Sequence, residues 1–136
     1  MLKGTLTGSK KYPANTIITD FQMDATNYKF SLVSGQMEVQ QEGVYYVFAQ
    51  VFFENYPDAP SIYHNRVELT VNGVRVALMQ TPIGNHADYG TESSGAVVKL
   101  NVGDRIGLKT VYESFIWLTG DLTFFGAYRI DLSDEC

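Results

Sequence analysis

Residues 44–53, Val-Tyr-Tyr-Val-Phe-Ala-Gln-Val-Phe-Phe, are apolar whichever way they are divided. Side chains of an extended chain alternate between the two sides of a sheet. Tyr45, Val47, Ala49 and Val51 therefore share one face, and Val44, Tyr46, Phe48, Gln50 and Phe52 the other. Residues 122–130 repeat the pattern, with Thr123, Phe125, Ala127 and Arg129 opposite Leu122, Phe124, Gly126, Tyr128 and Ile130. A sheet in a two-layer sandwich buries one face of each strand, so the second faces require a further partner. That partner is either a covering loop of the same chain or another molecule. Contiguous exposed aromatics are rare on monomers and common on obligate oligomers, whose interfaces resemble a divided core. The preferred reading is a self-complementary apolar patch.

The rest of the chain agrees with strands. Gly-, Asn- and Asp-rich breaks separate short β-rich runs, and no window holds a 3.6-residue apolar period. Strands are expected over residues 2–6, 29–33, 36–40, 43–54, 62–71, 74–80, 95–101, 105–112 and 121–131. The sharpest local signal is Asn72-Gly73 between two such runs, a pair suited to a type I′ hairpin turn because both of its residues need positive φ. That turn sets Val71 opposite Val74, Leu69 opposite Val76 and Val67 opposite Leu78 on an apolar side. Thr70/Arg75, Glu68/Ala77 and Arg66/Met79 share the other. With 136 residues and 45% hydrophobic content, residues 1–136 are expected to form a single all-β domain with a sizeable core. No apolar stretch approaches the roughly 20 residues of a spanning helix, so no membrane insertion by this segment is expected.

Charge and chemistry narrow the functions. A net charge of −5, with no cationic cluster beyond Lys10-Lys11, predicts no nucleic-acid binding, which needs clustered cations on phosphates. Cys136 is the only cysteine, which excludes an intrachain disulfide. The acidic end 131–136 reads as a solvated tail. His64 and His86 are the only histidines and, with Asp58 and Asp88, read as solvated loop residues rather than ligands. Asp20, Asp24, Asp58 and Glu54 fall in or beside predicted loops, at spacings that define no calcium site. No nucleophile elbow, zinc-protease, phosphate-loop or dinucleotide motif occurs. The expectation is a non-enzymatic protein with no catalytic residue, metal or cofactor.

Three motifs then carry a resemblance across essentially the whole chain. Ser34-Gly35-Gln36-Met37-Glu38-Val39 followed by Glu42-Gly43-Val44-Tyr45-Tyr46-Val47-Phe48-Ala49-Gln50-Val51 resembles the Gly-x-Tyr-x-x-Tyr-x-Gln-Val signature of tumour necrosis factor ligands. Ser94-Gly95-Ala96-Val97-Val98-Lys99-Leu100 with Val102-Gly103-Asp104-Arg105-Ile106 is similar to the penultimate strand pair of C1q heads and TNF ligands. Thr123-Phe124-Phe125-Gly126-Ala127 resembles the closing strand of ligands of the ectodysplasin and BAFF kind. The chain is thus similar to the C1q/TNF superfamily and closer to its TNF branch.

This resemblance implies an all-β jelly-roll sandwich of two antiparallel sheets and about ten strands, in a homotrimer packed through aromatic faces of the inner sheet. It assigns Tyr46, Phe48, Gln50, Gly95, Val97, Phe124, Tyr128 and Ile130 to the trimer interface. Ser93 stands where some TNF ligands place a tyrosine. The implied function is an extracellular cytokine-type ligand, secreted or part of a membrane-anchored precursor, that clusters TNF-receptor-like, cysteine-rich receptors. The alternative is a C1q-like head that binds patterns or matrix. Receptors of such ligands dock between protomers on loops, expected here at residues 10–26, 55–62, 72–73 and 112–118. Aromatic anchors dominate such contacts, which singles out Tyr56, Tyr63, Tyr112, Phe115 and Trp117. The chain lacks the loop disulfide of many TNF ligands, and its Asn72-Gly73 turn is too short to present their apolar loop tip.

Overall fold

The computed structural model describes residues 2–5, 9–23, 30–54, 65–80 and 89–130. Among them the chain forms twelve strands: β1 Leu2–Gly4, β2 Ser9–Tyr12, β3 Phe21–Met23, β4 Phe30–Val33, β5 Gln36–Val39, β6 Gly43–Glu54, β7 Arg66–Val71, β8 Val74–Gln80, β9 Tyr89–Leu100, β10 Arg105–Thr110, β11 Ser114–Trp117 and β12 Phe124–Arg129. They build two antiparallel sheets, as expected. A seven-stranded sheet runs β2-β11-β6-β12-β1-β3, with β9 on the other edge of β6, and a five-stranded sheet runs β4-β5-β10-β7-β8.

Alternation on β6 separates its faces. Gly43, Tyr45, Val47, Ala49, Val51 and Phe53 are buried, and every intervening residue is half-buried. Tyr45, Val47, Ala49, Val51 and Phe53 of this set meet Met37, Leu69, Ile106 and Leu108 of the opposing sheet in one core. Each valine, leucine, isoleucine, methionine or phenylalanine among them contributes about 1.5–3 kcal/mol on burial, an upper figure because the unfolded chain is already partly compact. Phe125 closes the core from β12, its ring edge-on to Phe21 at 4.9 Å.

The Asn72-Gly73 turn forms as predicted, with φ of 53° and 80°. The pairing beyond it does not. An irregularity between Leu69 and Thr70 shifts the register, so that Leu69 pairs with Ala77, Glu68 with Leu78, Val67 with Met79 and Arg66 with Gln80. Val71/Val74 and Thr70/Arg75 stand as expected. A bulge inserts one extra residue and exchanges the faces beyond it, which is how Met79 rather than Leu78 becomes fully buried. Ser34-Gly35 makes a second two-residue turn, also with both φ positive. A Cβ on Gly35 would collide with the backbone of Thr19.

Two predicted loops contain strands. Residues 10–26 hold most of β2 and all of β3, and 112–118 hold β11, which pairs Phe115 with Lys11 and Ile116 with both Lys10 and Phe53. These short strands carry little alternation of their own, and β2 and β11 pair across about a hundred residues of chain. The final strand also begins later than expected, at Phe124, after a turn, and β9 begins earlier, at Tyr89.

Between β2 and β3, both strands of the seven-stranded sheet, the chain reaches over to run beside β10 of the five-stranded sheet. The Ile18 N–H donates to the Leu108 carbonyl at 2.8 Å and the Thr110 N–H to the Thr16 carbonyl at 2.9 Å. Thr110, itself buried, donates its hydroxyl to the Pro13 carbonyl at 2.6 Å and accepts the Thr16 N–H at 3.0 Å.

Candidate functional site: an aromatic sheet face

The outer face of the seven-stranded sheet carries the side chains that the core leaves over. β6 pairs with β9 on one edge and with β12 on the other, which sets three rows across the face: Tyr128–Tyr46–Val97, Gly126–Phe48–Gly95 and Phe124–Gln50–Ser93. Cross-strand neighbours of this kind share a face. Seven of the eight residues assigned to a trimer interface therefore fall together, and Ile130 follows just past β12, its N–H donating to the Val44 carbonyl at 2.8 Å.

The rings form one cluster. The centroids of Tyr46 and Tyr128 lie 5.6 Å apart, those of Tyr46 and Phe48 6.2 Å, and those of Phe48 and Tyr128 6.3 Å. Glycine makes this possible in the middle row. A Cβ on Gly95 would collide with the Tyr46 hydroxyl and come within 2.8 Å of the Val47 carbonyl oxygen. The next row is polar at its centre, where the Gln50 amide donates to the Leu122 carbonyl at 3.1 Å. Phe48, Gln50, Ser93, Gly95 and Phe124 line an open depression of about 330 Å³. Val97, Tyr128 and Ile130 remain 61%, 56% and 40% exposed. Among the described residues, no loop covers these three apolar side chains.

The receptor-contact candidates separate. Tyr112 is exposed in the turn between β10 and β11, with the Arg66 guanidinium 5.8 Å from its ring centre. Phe115 and Trp117 sit on β11 rather than on a loop, in the alternate positions that do not enter the core. Trp117 packs edge-on to Phe52 at 6.3 Å and so extends the aromatic face of β6. The continuous apolar run Phe115-Ile116-Trp117, rich in aromatic and β-branched residues, is the signal that could have placed them on a strand. Tyr56 and Tyr63 lie outside the described residues, as do His64, His86, Asp24, Asp58, Asp88 and Cys136.

Away from this face, one titratable cluster ties β2 to the start of β3. Asp20 Oδ2 accepts the Tyr12 hydroxyl at 2.5 Å and the Lys10 ammonium at 3.0 Å. Burial alone would push the Asp20 carboxyl upward, but the Tyr12 hydrogen bond and the Lys10 charge hold it below the ordinary carboxylate value. Burial, and then the Asp20 carboxylate, push the Tyr12 hydroxyl well above its ordinary value. Asp20 is thus engaged in an internal contact. Among the described residues, no three His, Cys, Asp or Glu side chains gather as a metal site, and no helix is long and apolar enough to cross a membrane.

The model of the TNF (Tumour Necrosis Factor) family matches residues 20–130. Tumor necrosis factor ligand superfamily member 11 of Rattus norvegicus is 23% identical over 114 residues, a match covering 74% of this chain and 36% of the relative's own length. Among solved structures, the Eiger TNF of S. frugiperda superposes with a TM-score of 0.79 at 14% identity, covering 96% of this chain and 90% of that one. Murine APRIL at pH 5.0 superposes with a TM-score of 0.73 at 17% identity, covering 95% of each chain. These likenesses favour the TNF branch over the C1q branch. With its jelly-roll sandwich and a family match across most of its length, the chain belongs to the tumour necrosis factor family.

Proposed function

We propose that this chain is one extracellular domain that assembles as a homotrimer through the aromatic outer face of its seven-stranded sheet, and that the trimer binds and clusters cysteine-rich, TNF-receptor-like proteins at the cell surface. The observation that carries this reading is the cluster of Tyr46, Phe48 and Tyr128, continuous with Val97 and Phe124, on the face that the core does not use. A cyclic assembly closes when one patch of each copy meets a different patch of the next, and three bound receptors are then held at distances that favour joint engagement. Function of this kind follows from geometry and avidity and requires no bond chemistry. Tyr112, Phe115 and Trp117 are the receptor contacts proposed from described residues, and Tyr56 and Tyr63 are proposed from the sequence alone. Tyr112 stands apart from the aromatic face and is the one to test first.

Light scattering of the purified chain over a dilution series tests the assembly. A mass of three chains that persists on dilution supports it, and a monomer overturns it. Binding to a panel of soluble cysteine-rich receptor ectodomains tests the second half. Capture of a receptor by the wild type and its loss on Tyr112→Ala is the expected result.

A further inference from the structure

The Asn72-Gly73 turn is a reactive dipeptide held in a specific contact. The Asn72 side chain bridges to the turn between β9 and β10, its amide donating to Asp104 Oδ1 at 3.0 Å while its carbonyl oxygen accepts the Arg105 N–H at 3.0 Å. The Asn72 N–H also donates to the Arg105 carbonyl at 2.8 Å. Asp104 in turn accepts the Asn101 N–H at 2.8 Å through Oδ2, and its own carbonyl accepts the Val39 N–H at 2.8 Å. One asparagine side chain thereby joins the β7–β8 tip to the β9–β10 turn and, through it, to the end of β5.

We propose that Asn72 is a deamidation site, and that its conversion to aspartate or isoaspartate releases this contact. The nucleophile is the backbone nitrogen of residue 73. Gly73 is exposed, and as glycine it carries no side chain of its own to hinder the approach. Attack of that nitrogen on Asn72 Cγ forms a C–N bond, closes a succinimide and expels the side-chain nitrogen as ammonia. Water then opens the ring at either carbonyl to give aspartate or isoaspartate, with no change of oxidation state. The Arg105 N–H already points at the oxygen that gains charge as Cγ is attacked, the arrangement by which a fixed donor stabilises an oxyanion.

The product cannot keep the contact. At position 72 the donor that faced the Asp104 carboxylate becomes an acceptor, and two like charges stand where a hydrogen bond stood. Isoaspartate also adds a backbone atom to a two-residue turn whose register depends on its length. The two most exposed large apolar side chains among the described residues flank this contact, Val74 at 69% where β8 leaves the first turn and Val102 at 63% in the second. Conversion would therefore loosen both turns, and would add a negative charge to a chain already at −5.

Timed incubation of the folded protein at mildly alkaline pH, followed by peptide mapping, tests the chemistry. Aspartate and isoaspartate should accumulate at residue 72 ahead of Asn15, Asn65 and Asn101. A residue 72 that stays intact while a heat-unfolded sample converts there would overturn the proposal. Hydrogen exchange tests the consequence. In Asn72→Asp, exchange at the backbone amides of Val39, Arg105 and the substituted residue itself should become about tenfold faster or more, with the core of β6 unchanged. In the double variant, Asn72→Asp with Asp104→Asn, the donor and acceptor change places and protection should return. Unaltered protection in the single variant, or no recovery in the double, would refute the release. If Asn72→Asp does not fold, aged wild-type protein separated by charge gives the same exchange measurement.

Discussion

A methyl group added at Gly95 has no room: it meets the Tyr46 hydroxyl on one side and the Val47 carbonyl oxygen on the other. A methyl group added at Gly73 has space all round but sits on a backbone at φ of 80°. The two glycines are required for different reasons, one for volume and one for backbone conformation. Gly95→Ala should cost about 1–3 kcal/mol by overpacking and displace the Tyr46 ring. Gly73→Ala should cost about 1 kcal/mol through strain alone and leave the rings in place. Denaturant titration reads the first quantity, and tyrosine fluorescence or aromatic NMR shifts read the second. Acid and base act on the Tyr12–Asp20–Lys10 cluster from opposite sides. The Asp20 carboxyl is lowered on folding, so its contribution is present above the unfolded value of about 3.8 and is lost as pH falls through the folded value. The Tyr12 hydroxyl is raised, so its contribution is present below about 10.0 and is lost as pH climbs beyond that. Thermal melts across pH should fall at both ends, and Asp20→Asn should flatten the acid limb.

β12 shows how one strand serves two purposes, because Phe124 and Phe125 are adjacent and face opposite ways. Phe125 is fully buried against Phe21, and Phe125→Ala should lose about 3–5 kcal/mol of folding stability, measured by urea unfolding. The segment between β2 and β3 is held to β10 by backbone hydrogen bonds and by one buried hydroxyl, that of Thr110. Thr110→Val keeps the shape of the side chain but strands the Pro13 carbonyl and the Thr16 N–H, at an expected cost of about 1–3 kcal/mol. Hydrogen exchange at Thr16 and Ile18 should report a local opening. β7 and β8 illustrate the limit of local reading. The turn residues determine how the hairpin begins, but the bulge at Leu69/Thr70 reassigns every pair beyond it. The core selects that bulge because it brings Met79 inward beside Val67 and Leu69.

Assembly belongs to the scale of the whole molecule. Phe48→Asp and Phe124→Asp place a charge on the outer face without touching the core, so each should dissociate the proposed trimer. Burying an unpaired carboxylate there would cost several kcal/mol, while a monomer leaves the same carboxylate wet. Light scattering should report one chain, with near-wild-type circular dichroism and β6 exchange protection. A variant that stays trimeric would reject this face as the interface.

Much of this organisation is written in the sequence itself. The two-faced character of residues 44–53 and 122–130, the all-β class and the Asn72-Gly73 turn are all legible there, because alternation and positive φ are properties of neighbouring residues. So is the membership of Tyr46, Phe48, Phe124 and Tyr128 in faces that a two-layer core cannot use. Only the tertiary structure decided that those faces join into one, that β11 sets Trp117 beside Phe52 to extend it, that a bulge turns Met79 inward and that Asn72 meets Asp104. Each of these is a contact between segments separated in the chain. Their pairing is settled by which arrangement fills one core and satisfies its backbone hydrogen bonds together, a condition that no local window contains.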